Sequence, residues 1–268
     1  MGLRLAVGAL ACLMPVLCRA GGSDPKKAFE HYRRASDLYV QKQFQAAAEE
    51  LERSLKLDKQ VRPAKLLGLC RQLLGDLEGA VEAFRLATRL APKDAEAWFF
   101  LGRVYWIQNF FDSARDALLT SVRLDSNDFR SRECLALTFE ALGDFDRALA
   151  EYRAAVKLND RRPQPSNTPP LNYGAFLLKT GDLAESEAQL KRARSLKPDD
   201  WQARFELGKL YSRTGKLTEA RDELLAAAAA GTAQQEDRAR ILRLLATIHA
   251  RLGETGAAQQ ALREAEKQ

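Results

Sequence analysis

Small residues recur along this chain at a nearly fixed interval, and that interval limits the folds open to it. One series runs Ala35, Gly68, Gly102, Ala136, Gly174, Gly208 and Ala246. A second follows it as Ala47, Ala80, Ala114, Ala148, Ser186, Ala220 and Ala258. A third runs Ser54, Ala87, Ser121, Ala155, Ala193, Ala227 and Ala265. Between the first and second series lies a glycine in five copies: Gly75, Gly143, Gly181, Gly215 and Gly253. Lys42 and Asn109 stand in its place in the other two. A helix that crosses another closely needs Gly, Ala or Ser at the crossing, and a glycine after a helix end adopts the left-handed turn at low cost. The pattern predicts repeated helical hairpins, each leaving an apolar face that only the next hairpin can cover.

Composition agrees. Of 268 residues, 43 are Ala and 42 Leu, against 8 Val and 3 Ile. Strands favour β-branched residues and helices favour Ala and Leu, so sandwiches, barrels and parallel-sheet enzymes are excluded early. The period accounts for the bias, since Ala fills the crossings and Leu much of the space around them.

The segment 95–128 reads AEAWFFLGRVYWIQNFFDSARDALLTSVRLDSND, with Trp98 fourth, Leu101-Gly102 seventh and eighth, and Tyr105 eleventh. Ala114, Leu118 and Ser121 are its twentieth, twenty-fourth and twenty-seventh residues. This resembles the tetratricopeptide repeat, a helix–turn–helix unit of about 34 residues. The resemblance implies an all-α fold, a right-handed α-α superhelix (solenoid) of hairpins. Units are expected near 28–60, 61–94, 95–128, 129–162, 167–200, 201–234 and 239–268, forming one array over 28–268. Unit one departs from the pattern: it is a residue short and carries Arg34 where Leu is usual. Residues 163–166 are an insertion within RRPQPSNTPP, whose prolines are expected to hold an extended bend. That stretch is either a plain loop or a hinge between 28–162 and 167–268.

Residues 1–20 carry Arg4, an apolar run from Leu5 to Leu17, and small residues at Cys18 and Ala20. Thirteen apolar residues are few for a membrane span, which takes about 20. The segment reads as a cleavable signal peptide, with 21–27 a short linker. Membrane contact is expected only if that segment stays uncleaved. The resemblance adds an expectation of the bacterial periplasm or cell envelope.

The formal net charge is +6, and +4 without Arg4 and Arg19. Charges are interspersed, which does not fit a clustered nucleic-acid footprint. Two histidines, His31 and His249, lie at opposite ends of the array. Cys70 and Cys134 fall two units apart, too far for a disulfide, and are expected to be free and partly buried thiols. No HExxH, GxSxG or phosphate-loop glycine motif is present. The expectation is therefore a non-enzymatic chain with no metal, cofactor or small-molecule substrate.

What remains is a surface. In the family that the chain resembles, first helices line a concave groove through positions 2, 5, 6, 9, 12 and 13. In unit three these are Glu96, Phe99, Phe100, Arg103, Trp106 and Ile107. Unit one adds Tyr32 and Tyr39, unit two Arg62, Lys65 and Leu69, and unit four Arg130, Glu133 and Glu140. Units five and six add Leu171, Asn172, Phe205, Lys209 and Arg213. Aromatic and arginine side chains are typical binding anchors. The expected protein-binding residues are Phe99, Phe100, Arg103, Trp106, Arg62, Lys65 and Arg130. The anticipated partner is a protein or peptide segment, anchored on Phe99 and Trp106, with an acidic group near Arg62, Lys65 and Arg103. Phe99, Phe100 and Trp106 could instead only pack between first helices. A carboxylate-clamp arrangement is absent, because Leu66, Leu69, Tyr32 and Ser36 occupy positions where it needs Lys and Asn. The competing expectation is a structural subunit of an envelope assembly, built by stacking of the array.

Overall fold

A computed structural model describes residues 24–230 and 234–267. The expected signal segment lies outside the described residues. The described residues form fourteen α-helices and no strand. They divide into two compact units, with the boundary between Leu90 and Ala91.

The first unit holds α1 (Pro25–Val40), α2 (Phe44–Leu57), α3 (Val61–Leu73) and α4 (Leu77–Leu90). The second begins with α5 (Ala95–Ile107), α6 (Phe111–Leu124), α7 (Phe129–Ala141), α8 (Phe145–Asn159) and α9 (Thr168–Thr180). It continues with α10 (Leu183–Leu196), α11 (Trp201–Thr214), α12 (Leu217–Ala229), α13 (Gln235–Arg251) and α14 (Thr255–Glu266). Consecutive helices pair as hairpins, and within each unit each hairpin packs on the next.

The small residues sit where the spacing placed them. A Cβ added to Gly102 would lie 2.6 Å from Leu118 Cγ, and one on Gly208 would lie 2.7 Å from Leu224 Cγ. Gly68 against Phe84 and Gly174 against Leu190 repeat the arrangement. The third small series gains a polar role: Ser54 and Ser121 donate from their hydroxyls to the carbonyls of Ala28 and Ala95, at 2.7 and 2.8 Å. Such buried hydroxyls tie the second helix to the start of the first.

All five turn glycines have φ between +78° and +101°, and Lys42 and Asn109 take the same left-handed conformation at +61° and +62°. A lysine pays for that conformation with about 1 kcal/mol. Lys42→Gly should therefore raise the stability of the first unit by about 0.5–1 kcal/mol, read as a higher urea midpoint.

Aspartates start the helices. Asp24, Asp94, Asp128, Asp144, Asp182 and Asp200 each accept a hydrogen bond from an amide in the first turn of the helix that follows. These carboxylates satisfy donors that have no intrahelical partner. Asp24 draws α1 back to Pro25, so residues 25–27 are helical rather than linker. Another recurrent pair joins the helices of one hairpin: His31–Glu50, Arg132–Glu151 and Arg204–Glu223, each nineteen residues apart.

The insertion at 163–166 leaves the helical register. Pro169 and Pro170, expected in the extended bend, instead lie in the buried first turn of α9. A first-turn proline gives up no intrahelical hydrogen bond, which is why they fit there. Asn159 at the end of α8 is fully buried and holds the insertion: its Nδ2 donates to the Ser166 carbonyl at 2.7 Å. Its Oδ1 accepts from the Ser166 amide at 2.8 Å. Across the insertion, Tyr152 and Tyr173 stack at 6.0 Å and Lys179 pairs with Glu140 at 3.0 Å. Asn159→Ala should cost about 2–3 kcal/mol and speed amide exchange at Ser166, because both backbone groups lose their partner.

Candidate functional site

The first helices of the second unit share one face, and a cleft lies over α5, α7 and α9. The cleft has a volume of about 490 Å³ and a mostly apolar lining. From α5 it receives Phe99, Arg103, Trp106 and Ile107. These lie on one helical stripe by their spacing, and the Asp94 cap starts the helix that presents them. α7 supplies Arg130, Glu133, Cys134 and Leu137, and the start of α9 supplies Thr168 and Asn172.

Four of the seven expected residues, Phe99, Arg103, Trp106 and Arg130, thus meet in one cleft. Phe99 is also a packing residue, only 6% exposed. Its ring lies 5.3 Å from that of Phe100 and 5.1 Å beneath the Arg130 guanidinium. Arg130 is committed to Asp128 as well, at 3.0 Å. Phe100 is half-buried and does not line the cleft. Arg62 and Lys65 stand on α3 of the first unit, Arg62 exposed and Lys65 half-buried, and are not part of this cleft.

Leu137 and Thr168 were not singled out by sequence reasoning, and Cys134 was expected only as a free thiol, not as a residue of the groove. Leu137 occupies position 9 of its unit, one of the groove positions, so its spacing carried a usable signal. Thr168 and Asn172 enter because α9 packs beyond the insertion. Asn172 Nδ2 donates to Glu133 at 2.8 Å and the Thr168 hydroxyl approaches the other carboxylate oxygen at 3.5 Å.

Glu133 is the electrostatic oddity of the site. Burial pushes its carboxyl up to about 7, and the donors Asn172 and Thr168 offset this only in part. No cation pairs with it among the described residues. Beside it, burial raises the Cys134 thiol to about 12 and in the first unit the Cys70 thiol to about 11. Both cysteines are free, as expected, and more fully buried than expected. Such thiols are unreactive near neutral pH. His31 and His249 each hydrogen-bond a glutamate, Glu50 and Glu254.

A smaller cleft of about 220 Å³ continues the same face over α9, α11 and α13, lined by Leu171, Trp201, Phe205 and Arg240, and sharing Thr168 and Asn172. Among the described residues no group of three or more His, Cys, Asp or Glu is placed to hold a metal. No described helix is long and apolar enough to cross a membrane.

Comparison with known proteins places the architecture. Profiles described as tetratricopeptide repeat match residues 32–95, 73–129, 177–236 and 135–161. A BBSome complex member, BBS4 of Bos taurus, is 26% identical over 170 residues, covering 63% of this chain and 32% of that protein. Anaphase-promoting complex subunit 3 of Schizosaccharomyces pombe is 24% identical over 183 residues, covering 68% of this chain and 27% of that protein. The chain thus spans about a third of the length of such relatives, or less. Among solved structures, a tetratricopeptide repeat protein from Parabacteroides merdae superposes with a TM-score of 0.70 at 17% identity, covering 90% of this chain and 93% of the other. PilW, a type IV pilus biogenesis factor, superposes with a TM-score of 0.68 at 21% identity, covering 75% and 90%. YrrB, described as having an unusual peptide-binding site, gives 0.52 at 20% identity, covering 69% and 93%. Both the helical hairpins and the sequence profiles assign this chain to the tetratricopeptide-repeat family.

Proposed function

We propose that this chain is a non-enzymatic adaptor that seats a segment of a partner protein in the α5–α7–α9 cleft. Tetratricopeptide-repeat proteins generally mediate protein–protein interaction. The single observation that carries the finer reading is the cleft itself. It gathers Arg103 and Trp106, two residue types enriched in binding anchors, around an apolar hollow of about 490 Å³. The titratable groups there include one buried thiol, Cys134, and one carboxyl beside neutral donors, Glu133, and they form no nucleophile–base arrangement.

The test is a double variant. Trp106→Ala with Arg103→Ala should lower partner capture by the purified chain at least tenfold, since each truncated anchor is worth more than about 1 kcal/mol. Trp106 also packs, so its truncation lowers the melting midpoint, and capture is compared at a temperature where circular dichroism shows both chains fully helical. Undiminished capture would remove the cleft from the account. A stable oligomer of the purified chain, unchanged on dilution in light scattering, would favour the stacked structural subunit instead.

The N-terminal pattern supports export to a bacterial periplasm or envelope as part of this proposal. N-terminal sequencing of the mature protein checks it: a start near Gly21 agrees, and a start at Met1 contradicts.

A further inference from the structure

Two hydrogen-bond donors in the α5–α7–α9 cleft lack an acceptor. The Trp106 indole Nε1 is buried and bonds to nothing. Three residues before it on the same helix, Arg103 is half-buried and makes no ion pair among the described residues. Other cations of this face are engaged. Arg130 holds Asp128, Lys179 holds Glu140, Lys209 holds Glu206 and Arg240 holds Asp237. The Arg213 guanidinium donates to the Leu178 carbonyl. The buried Trp106 N–H is out of an occupant's reach, which leaves Arg103 as the donor open to one. A half-desolvated guanidinium gains more from a carboxylate than an exposed one does. Ile107 and Leu137 supply apolar wall beside both donors.

The geometry points to an acidic–apolar protein segment as the occupant: an aliphatic or aromatic side chain against Trp106, Ile107 and Leu137, and a neighbouring Asp or Glu carboxylate on Arg103. This rests on the reading of the cleft as a segment-binding site.

A consequence follows at Glu133, which lines the same cleft. The charged and titratable groups around it are Arg103 on α5, Arg130 and Cys134 on its own helix, and Tyr152 on α8. From α9 it meets the neutral donors Asn172 and Thr168. No histidine lines the cleft. With its carboxyl near 7, Glu133 is part ionised at neutral pH, and an incoming carboxylate favours its protonated form. Binding of an acidic segment then takes up a proton at Glu133, so affinity rises as the pH falls from 8 to 6.

A random peptide library selected on the full chain tests the proposal, with affinities of the enriched peptides measured by fluorescence anisotropy. Enriched peptides should pair Asp or Glu with an aliphatic or aromatic residue. Arg103→Gln should weaken them by roughly tenfold or more, and Leu137→Ala, which removes apolar wall, by severalfold. Glu133→Gln should flatten the pH dependence. Neutral or basic peptides, or affinity indifferent to Arg103→Gln, would overturn the assignment of an acidic occupant. The segment-binding reading has its own control, Ile107→Arg, which obstructs the cleft from a 37% exposed position. Neutral peptides blocked by Ile107→Arg leave that reading standing and overturn only the acidic occupant. Peptides unaffected by Ile107→Arg, or a library from which nothing is enriched, overturn the segment-binding reading itself.

Discussion

Gly102→Val should destabilise the second unit by about 3 kcal/mol or more, visible as a large drop in the urea midpoint. Even a single Cβ at this position would lie 2.6 Å from Leu118 Cγ, 3.0 Å from Leu118 Cδ2 and 3.2 Å from the Ala114 carbonyl oxygen. Leu118 is fully buried, so it has nowhere to move. Overpacking a filled core by a few methyl groups costs about 1–3 kcal/mol, and a backbone oxygen that cannot yield adds to that. Gly102→Ala should cost less, because Ala35 and Ala136 stand at the equivalent crossings of other hairpins. The turn glycines give the contrast. Gly75 has open space where its Cβ would lie, but its φ is +80°. Gly75→Ala should therefore cost only about 1 kcal/mol of backbone strain. A helix crossing and a turn thus need glycine for different reasons, and the two substitutions separate them.

The second large effect is at Glu133, and its sign depends on pH. The carboxyl is raised from 4.5 to about 7 in the folded chain. Below the unfolded value both states hold the proton and the group costs nothing. As pH rises from about 4.5 to about 7, unfolding releases a proton and stability falls. Above 7 the full penalty applies, on the order of 2 kcal/mol once partial solvent access is allowed for. Glu133→Gln keeps an acceptor for Asn172 and removes the titration. The variant should melt with the parent at pH 5 and higher than it at pH 8, by on the order of 5 °C. Equal melting at both pH values would mean that Glu133 is not desolvated.

The fold was legible because its determinants repeat. A crossing small enough for Leu118 to enter, or a turn that needs positive φ, leaves the same mark in every hairpin, and even Lys42 and Asn109 were placed by register alone. Helix starts were less legible. Periodicity locates the middle of a helix, whereas Asp24 capping decides that α1 begins at Pro25. Pro169 and Pro170 read as breakers because their place in a first turn depends on where α9 starts. The ion pairs nineteen residues apart, such as Arg204–Glu223, went unread although their spacing also recurs.

At the site, the α5 stripe was readable from helical spacing. The division of labour within it was not. Phe99 is largely a packing residue, while Arg103 keeps donors to spare, and that difference arises from neighbouring helices. The state of Glu133 depends on α9 meeting α7 across an insertion of four residues that breaks the period.

The central claim, that the first-helix face at α5 holds the partner, is tested most directly by site-specific photocrosslinking. A photoreactive residue replaces either Ile107, which lines the cleft, or Leu119 on α6, which does not. The two positions are 37% and 43% exposed, so each is open to reaction. The account predicts a covalent adduct with the captured partner from position 107 and none from 119. An adduct from 119 with none from 107 would contradict it.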